Sequence, residues 1–286
     1  MNGIQSSYSK LAFVALLLAS HVTMAQVEYD AQLRPRVLVS TDIGGSDPDD
    51  YQSLIHLLLY AEAIEIEGLI SSPPHKGRKK HIEEVLRAYE TDYVKLQANP
   101  GKTFPKPDAL RSVSVQGATD VAPKKGWSSS TDGSRLIVKR ANASDERPLW
   151  VLVCGSMTDV AQAIYDDPAI KSKLRVYSIG SWNTRQDQSA RDYVFTNHPD
   201  LWWIECDTTF RGMYIGGEQK GEFGNVEFVR QHVRGHGALG DLFWKKKRDI
   251  KMGDTPSLLY LLHGPPDDPT ADHWGGAFQK TDHGPS

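Results

Sequence analysis

Cysteine is nearly missing from this chain: Cys154 and Cys206 are the two in 286 residues, so no disulfide framework holds it together. Both lie in or at the end of apolar runs, where a free cysteine behaves as a small hydrophobe, and in an exported protein a single bridge between them is the alternative. An excess of charge of one sign is missing too. Lys and Arg number 33 against 36 Asp and Glu, a net charge of -3, which lacks the electrostatic footprint of a nucleic-acid binder. The basic runs HKGRKKH (75–81) and KKKR (245–248) are local and read as solvated faces. There is no internal repeat and no low-complexity tract. Nor is there a G-x-S-x-G elbow, an H-E-x-x-H pair or a P-loop, so serine hydrolase, zincin and nucleotide triphosphatase chemistries lack their required residues.

Long hydrophobic runs are also scarce. The longest, LAFVALLLAS at 11–20, is too short to span a bilayer, follows Lys10, and is itself followed by the small-residue site VTMAQ. That order is the order of a secretory signal peptide covering residues 1–25, and it predicts a secreted or periplasmic protein that leaves the membrane after processing. Removing that segment takes away one lysine and no acid, which moves the net charge from -3 to -4. Residues 26–286, in a chain 39% hydrophobic and 24% charged, are enough for one domain with a sizeable core.

Within that domain short β-branched runs alternate with longer helical patterns, the signature of parallel strands joined by crossover helices. RVLVS (36–40) reads as a strand and DDYQSLIHLLLYAEA (49–63) as a helix with Leu54, Leu57, Leu58 and Ala61 at helical spacing. IEIEGLISS (64–72) is the next strand and RKKHIEEVLRAYETDY (78–93) the next helix. The Pro- and Gly-rich passage from Asn99 to Gly133 reads as a long surface loop or lid, followed by a helix capped by Thr131 or Asp132. PLWVLVCGS, LRVYSIGSW and DLWWIECD repeat the strand pattern; MTDVAQAIYDDPAI and GDTPSLLYLLHG read as helices. The expected fold is α/β, a mostly parallel sheet with helices on both faces, in which ligands bind beyond the carboxyl ends of the strands.

The polar clusters fall at those ends. STDIGGSDPDD (40–50) gathers four aspartates and two glycines directly behind the first strand. Asp47 or Asp49 can cap the following helix and complement its dipole. Capping does not account for Asp42, two residues past the strand and separated from the others by Gly44 and Gly45. Carboxylates held this close repel one another unless protonated or bound to a cation, and hard oxygen ligands suit Ca2+. The twelve-residue EF-hand spacing is absent, so such a site has to be assembled from distant parts of the chain.

VLVSTDIGGSDPDDYQSL resembles the amino-terminal signature of the nucleoside hydrolases, and nearly all of residues 34–280 is similar to a secreted bacterial nucleoside hydrolase-like branch, some members of which are described as cellulose-binding. LISSPPHKGRKKHI, PLWVLVCGSMTDVAQAI, RVYSIGSWNTRQDQSARDYVFTNHPDLWWIE, TTFRGMY, GHGALGDLFW, KMGDTPSLLYLL and WGGAF carry the likeness. It implies a Ca2+ cofactor held by Asp42, Asp50, the backbone carbonyl near Cys154, and Asp254. It also implies that Asp42 is the catalytic base for an attacking water and that Asp49 holds a sugar hydroxyl. The implied partner is a small-molecule glycoside or carbohydrate, and dimeric or tetrameric relatives imply a homo-oligomer. Relatives of the branch commonly continue into a β-rich domain.

The departures bear on the substrate. Ser40 stands where the typical pattern has its first aspartate, two extra residues separate Gly44 from Asp49, and Gly253 takes the place of a histidine that assists the leaving group. The asparagine expected after the second strand is missing from SSPPHKG, and RDYVF replaces a glutamate-phenylalanine-asparagine run, with Asp192 as the stand-in. Asn183 either binds a sugar hydroxyl or makes a turn, and Trp182 either stacks on a sugar or anchors a loop. His198 and His236 are candidate proton donors to a leaving group or structural hydrogen-bonders. Two functions follow: a Ca2+-dependent hydrolase cleaving an N-ribosyl or related glycosidic bond, or a non-catalytic carbohydrate-binding protein on the same fold using Trp182, Trp202, Trp203 or Trp274.

Overall fold

A parallel strand covered on both faces has no polar side, and Arg36–Thr41 has that character: all six residues are buried. In the computed structural model, which describes residues 34–281 apart from 46, 76, 215 and 216, this segment is the central strand of the sheet. The elements in chain order are β1 (Arg36–Thr41), α1 (Asp49–Leu59), β2 (Glu65–Ser71), α2 (Lys79–Gln97), α3 (Pro107–Ser112), β3 (Ser114–Gln116), α4 (Asp132–Ala141), β4 (Leu149–Val153), α5 (Thr158–Asp166), β5 (Leu174–Ile179), α6 (Trp182–Gln186), α7 (Gln188–Asn197), β6 (Trp203–Cys206), α8 (Asn225–His232), α9 (Gly237–Lys246) and α10 (Thr255–Leu262). The signal segment at 1–25 lies outside the described residues. Among the described residues no helix is long and apolar enough to cross a membrane.

The six strands are all parallel and ordered β3-β2-β1-β4-β5-β6. The chain winds outward from β1 to β3, returns to place β4 on the other side of β1, and winds outward again. The reversal between β1 and β4 opens a crevice at their carboxyl ends. Alternate residues feed two cores. Val37, Val39, Leu152 and Tyr177 pack with α1, α2, α9 and α10 on one face. Leu38, Val151, Val153 and Val176 pack with α4, α5 and α7 on the other.

Arg36 is 2% exposed at the amino edge of β1, where a charge needs full satisfaction. It has it: Nε donates to Glu67 Oε1 at 2.5 Å, Nη2 to Glu67 Oε2 at 3.1 Å, and Nη1 and Nη2 donate to the carbonyls of Arg147 and Arg140.

The long loop expected from Asn99 to Gly133 is not structureless. It contains α3, opened by Pro107 at the first helical position, and β3, which extends the sheet beside β2. A six-residue helix and a three-residue strand are too short for periodicity to reveal. Farther along, Thr131 caps α4 through a reciprocal capping box with Ser134, as the sequence suggested. Cys154 and Cys206 are both free and buried. Gly235–Gly240 has the letters G-x-G-x-x-G, but it opens α9 after a helix rather than a strand, so it is not a dinucleotide fingerprint.

Candidate functional site

The acidic stretch becomes a turn, a short connection and the first turn of a helix. Asp42 leaves β1, and the amide of Gly45 donates to the Asp42 carbonyl at 2.8 Å, closing a four-residue turn. Gly44, at its third position, has φ +86°, a conformation that L side chains rarely adopt. The chain then enters α1 with Asp49 and Asp50 in its first turn. Thr41, the last residue of β1, donates its hydroxyl to Asp50 Oδ1 and fixes that carboxylate over the strand end.

Asp254 arrives from the far end of the sequence, immediately ahead of α10. It is held there by the second turn of α1. Buried Gln52 donates to the carbonyls of Lys247 (3.1 Å) and Asp249 (2.9 Å) and accepts from the amide of Lys251 at 2.6 Å. Ser53 Oγ accepts from the amide of Asp254 at 3.3 Å. Carboxylate oxygens of Asp49, Asp50 and Asp254 consequently lie within 4.8 Å of one another. Gly253 leaves room for this, since a Cβ there would stand 2.7 Å from Asp49 Oδ2.

Burial and mutual repulsion raise the pKa of every carboxyl in the cluster. Asp42 is pushed up to about 8, by desolvation first and Asp49 second. Asp49 is pushed up to about 7 by desolvation and then Asp50. Asp50 and Asp254 are raised well above the usual carboxylate range, again chiefly by burial. Asp42 stands within electrostatic reach of Asp50, whose carboxyl its charge raises further, so Asp42 joins the triad through Asp50. Asp254 Oδ2 is buried with no hydrogen-bond partner, as are Ser40 Oγ, Ser71 Oγ and Thr255 Oγ1, all at strand ends or the start of α10. A donor set of clustered hard oxygens with one buried oxygen unclaimed fits a cation.

Cys154 lies beside the cluster after β4, its thiol pushed up by burial and then by Asp254 and Asp50. Its carbonyl accepts from Asn183 Nδ2 at 3.2 Å, and the same amide also donates to Ile179 O at 3.1 Å. Asn183 thus joins the ends of β4 and β5. Trp182 beside it is 52% exposed, with the Arg185 guanidinium 5.8 Å from its ring.

Three residues weighed from sequence lie elsewhere. His198 precedes β6, hence at the amino edge of the sheet, edge-on to Tyr193 at 5.1 Å. His236 is exposed ahead of α9, whose first amides at Ala238 and Leu239 are held by Asp92. Asp92 lies eleven residues beyond His81 on α2, about 16 Å along the helix, and His81 is where α2 meets the aspartate turn. Asp192 points into a separate groove on the α7 side of the sheet.

Sequence reading missed the residues that support the cluster: Gln52, Ser53, Thr41 and Lys251, whose ammonium pairs with Asp47. It also missed a relay in which Tyr51 Oη lies 2.6 Å from His81 Nδ1 and donates to Glu84 at 2.9 Å, while Lys246 donates to Glu84 at 2.7 Å. The His81 ring lies against Gly44, where a Cβ would come within 2.2 Å of it. Gln52 and Ser53 left a signal of burial but not of partner: two polar positions in a helix whose other residues from Tyr51 to Leu58 are mostly apolar.

Residues 36–278 match a family profile described as "Cellulose-binding Sde182, nucleoside hydrolase-like domain". The chain belongs to the Sde182 nucleoside hydrolase-like family. A solved structure similar to this Sde182-type domain is a nucleoside hydrolase-related protein from Saccharophagus degradans, described as associated with carbohydrate metabolism. It is 29% identical, with a TM-score of 0.74, over 88% of this chain and 62% of that one. The chain therefore spans less than two thirds of that protein's length. Two nucleoside hydrolases share the fold. The plant enzyme PpNRh1 is 12% identical with a TM-score of 0.52, over 80% of this chain and 78% of that one. The inosine-uridine preferring enzyme from Bacillus anthracis is 18% identical with a TM-score of 0.50, over 79% and 81%. No curated protein matches the chain.

Proposed function

We propose that this Sde182-type domain is a Ca2+-dependent hydrolase of the nucleoside hydrolase type, cleaving an N-ribosyl or related glycosidic bond. The observation that carries the reading is the convergence of Asp49, Asp50 and Asp254 within 4.8 Å at the switch point of the sheet, with Asp254 Oδ2 unclaimed. Asp50, Asp254, Asp42 and the carbonyl of Cys154 are the oxygen ligands that would hold the ion. When bound, it supplies a water of lowered pKa and anchorage for sugar hydroxyls.

The side chains do the rest. Asp42 receives the proton of the attacking water, Asp49 accepts a hydrogen bond from a sugar hydroxyl, and the surrounding carboxylates stabilise positive charge building on the ring as the glycosidic bond breaks. Asn183 holds the Cys154 carbonyl in place from the β5 side. With Gly253 next to Asp254 and both His198 and His236 outside the cluster, none of these three positions protonates a leaving group there, which favours substrates whose leaving group departs readily.

The test is calorimetric titration of the chelator-stripped domain with Ca2+, paired with a screen of ribosides and aryl glycosides. The expected result is saturable binding, lost in Asp254→Ala, and turnover lost in Asp42→Asn with the ion still bound. Turnover unchanged in Asp42→Asn would sink its role as base.

The family description supports a second reading, a glycan-binding domain without turnover. Retention on insoluble cellulose in the presence of chelator, with no turnover of any glycoside, would favour it.

A further inference from the structure

Breaking a glycosidic bond puts negative charge on the departing atom, and that charge needs a donor aimed at it. His198 and His236 lie away from the cluster, which leaves the cations around the crevice as the source. Three of these are committed elsewhere. Lys246 donates to Glu84 at 2.7 Å with its ammonium 3.7 Å from the Tyr51 ring, and Lys247 pairs with Asp249 at 2.6 Å. Arg78 turns its guanidinium to the carbonyls of its own loop, His75 at 3.4 Å and Gly77.

Lys251 is placed differently. Its amide donates to buried Gln52 Oε1 at 2.6 Å, which fixes its backbone three residues ahead of Asp254, on the segment that brings that carboxylate in. Its side chain crosses from there to the aspartate loop and pairs with Asp47, two residues ahead of Asp49. The ammonium therefore joins the two chain segments that build the cluster, at the mouth of the crevice. It is in electrostatic reach of the cluster: desolvation lowers the Lys251 pKa and Asp254 draws it back up, while the ammonium in turn works against the burial that raises Asp254.

The pairing leaves that ammonium usable. It has three N–H donors, and Asp47 engages it through Oδ2 while Oδ1 makes no hydrogen bond. The Lys251 side chain is 26% exposed, so a ligand in the crevice can reach it. The Tyr214 ring, 5.7 Å from Nζ, flanks it.

We infer that Lys251 is the catalytic residue on the leaving-group side, its ammonium donating a hydrogen bond to the departing atom and holding the negative charge that develops there. The inference rests on the hydrolase reading and adds a substrate class to it: uncharged glycosides whose leaving group departs as an oxyanion of the phenolate or enolate type. Asp42, Asp47, Asp49, Asp50 and Asp254 outweigh one ammonium and one divalent ion, so a substrate arriving as an anion is repelled. The ammonium serves a charge that appears only as the bond breaks. In that step the glycosidic electron pair goes to the leaving oxygen, the water oxygen bonds to the anomeric carbon and Asp42 takes the water's proton. The oxyanion is protonated by solvent after departure, and Lys251 keeps its own proton throughout.

The test is kcat/KM of the whole domain in excess Ca2+ for aryl ribosides running from dinitrophenyl to unsubstituted phenyl leaving groups. It is made on the wild type, Lys251→Met and Lys251→Arg, with Ca2+ calorimetry on each. The expected loss in Lys251→Met grows along the series, from a few-fold for dinitrophenyl to roughly 100-fold for phenyl. Ca2+ affinity is kept, and Lys251→Arg, which retains the charge, recovers part of the loss. An equal loss for every leaving group would make Lys251 a strut of the Asp47 loop and overturn the inference. Unchanged kinetics overturn it too, as does loss of Ca2+ binding in Lys251→Met, since the lysine would then be shaping the ion site. If the wild type itself turns over no member of the series, the hydrolase reading falls and takes this inference with it, an outcome the wild type alone sets apart from the others.

Discussion

Gly44 shows how one residue sets the aspartate turn. Its φ of +86° costs an L side chain about 1–2 kcal/mol, and a Cβ would overlap the His81 ring, which is bonded to Tyr51, itself tied to Glu84. Gly44→Ala is therefore expected to lower stability by more than the backbone cost alone and to weaken Ca2+ binding, because Asp42 and Asp49 flank the displaced turn. Thermal melts and Ca2+ titration of the same variant check both effects; wild-type affinity with only a lowered midpoint would confine the glycine's role to folding. Gln52 acts at a distance from the ion. Three hydrogen bonds to residues 247–251 set where Asp254 begins α10, so Gln52→Leu should lower Ca2+ affinity about 10- to 100-fold while leaving all carboxylates in place. The aspartates themselves were legible in the sequence because four fall in one short stretch and capping of the following helix leaves Asp42 unexplained. Gln52 was not singled out, because its partners are carbonyls and an amide 195 to 199 residues away, and no local pattern encodes them.

The elements divide along similar lines. β1, β2, β4, β5, α1 and α2 were readable because each is either a continuous apolar run or a long amphipathic period. α3 and β3 were read as loop, since proline and glycine in that passage looked like breakers, whereas Pro107 in fact opens a helix. α9 depends on a cap that its own sequence does not contain. His236 precedes it without capping through its side chain, and the first amides are satisfied by Asp92 of α2, at 2.9 Å from Ala238 N and 2.8 Å from Leu239 N. Removing that carboxylate leaves two amides at a partly buried helix start, one of them buried, without a partner. Asp92→Ala should cost about 2 kcal/mol, or roughly 4–8 °C in midpoint for a domain of this size, with Asp92→Asn recovering part of it. A midpoint unchanged in the alanine variant would show that α9 is held by its packing on α2 alone.

Over the whole molecule, the acidic cluster couples stability to pH and to the ion. Asp42 and Asp49 have folded pKa values raised to about 8 and about 7, and Asp50 and Asp254 are also raised well above the ordinary value of 3.8. Between that value and about 8 the metal-free cluster binds more protons in the native state than in the unfolded chain, so its contribution to stability falls as pH rises through this window, while buried His56, lowered to about 4 by desolvation, opposes it at the acid end. Asp159 and Asp187, raised to about 6 chiefly by burial on the opposite face, act in the same direction over the lower part of it. A bound cation reverses the sign for the cluster alone, because it favours the ionised carboxylates that burial disfavours. Melting curves in chelator should shift to lower midpoints from about pH 5 to about pH 8. Curves in excess Ca2+ should decline less, and the gap between the two sets should widen with pH, reaching about 2.7 kcal/mol where the free ion is roughly a hundredfold above its dissociation constant. In Asp254→Asn the gap should shrink. If the two sets of curves coincide at every pH, the carboxyls are neutral structural groups, and the cluster holds protons where the proposed mechanism needs an ion.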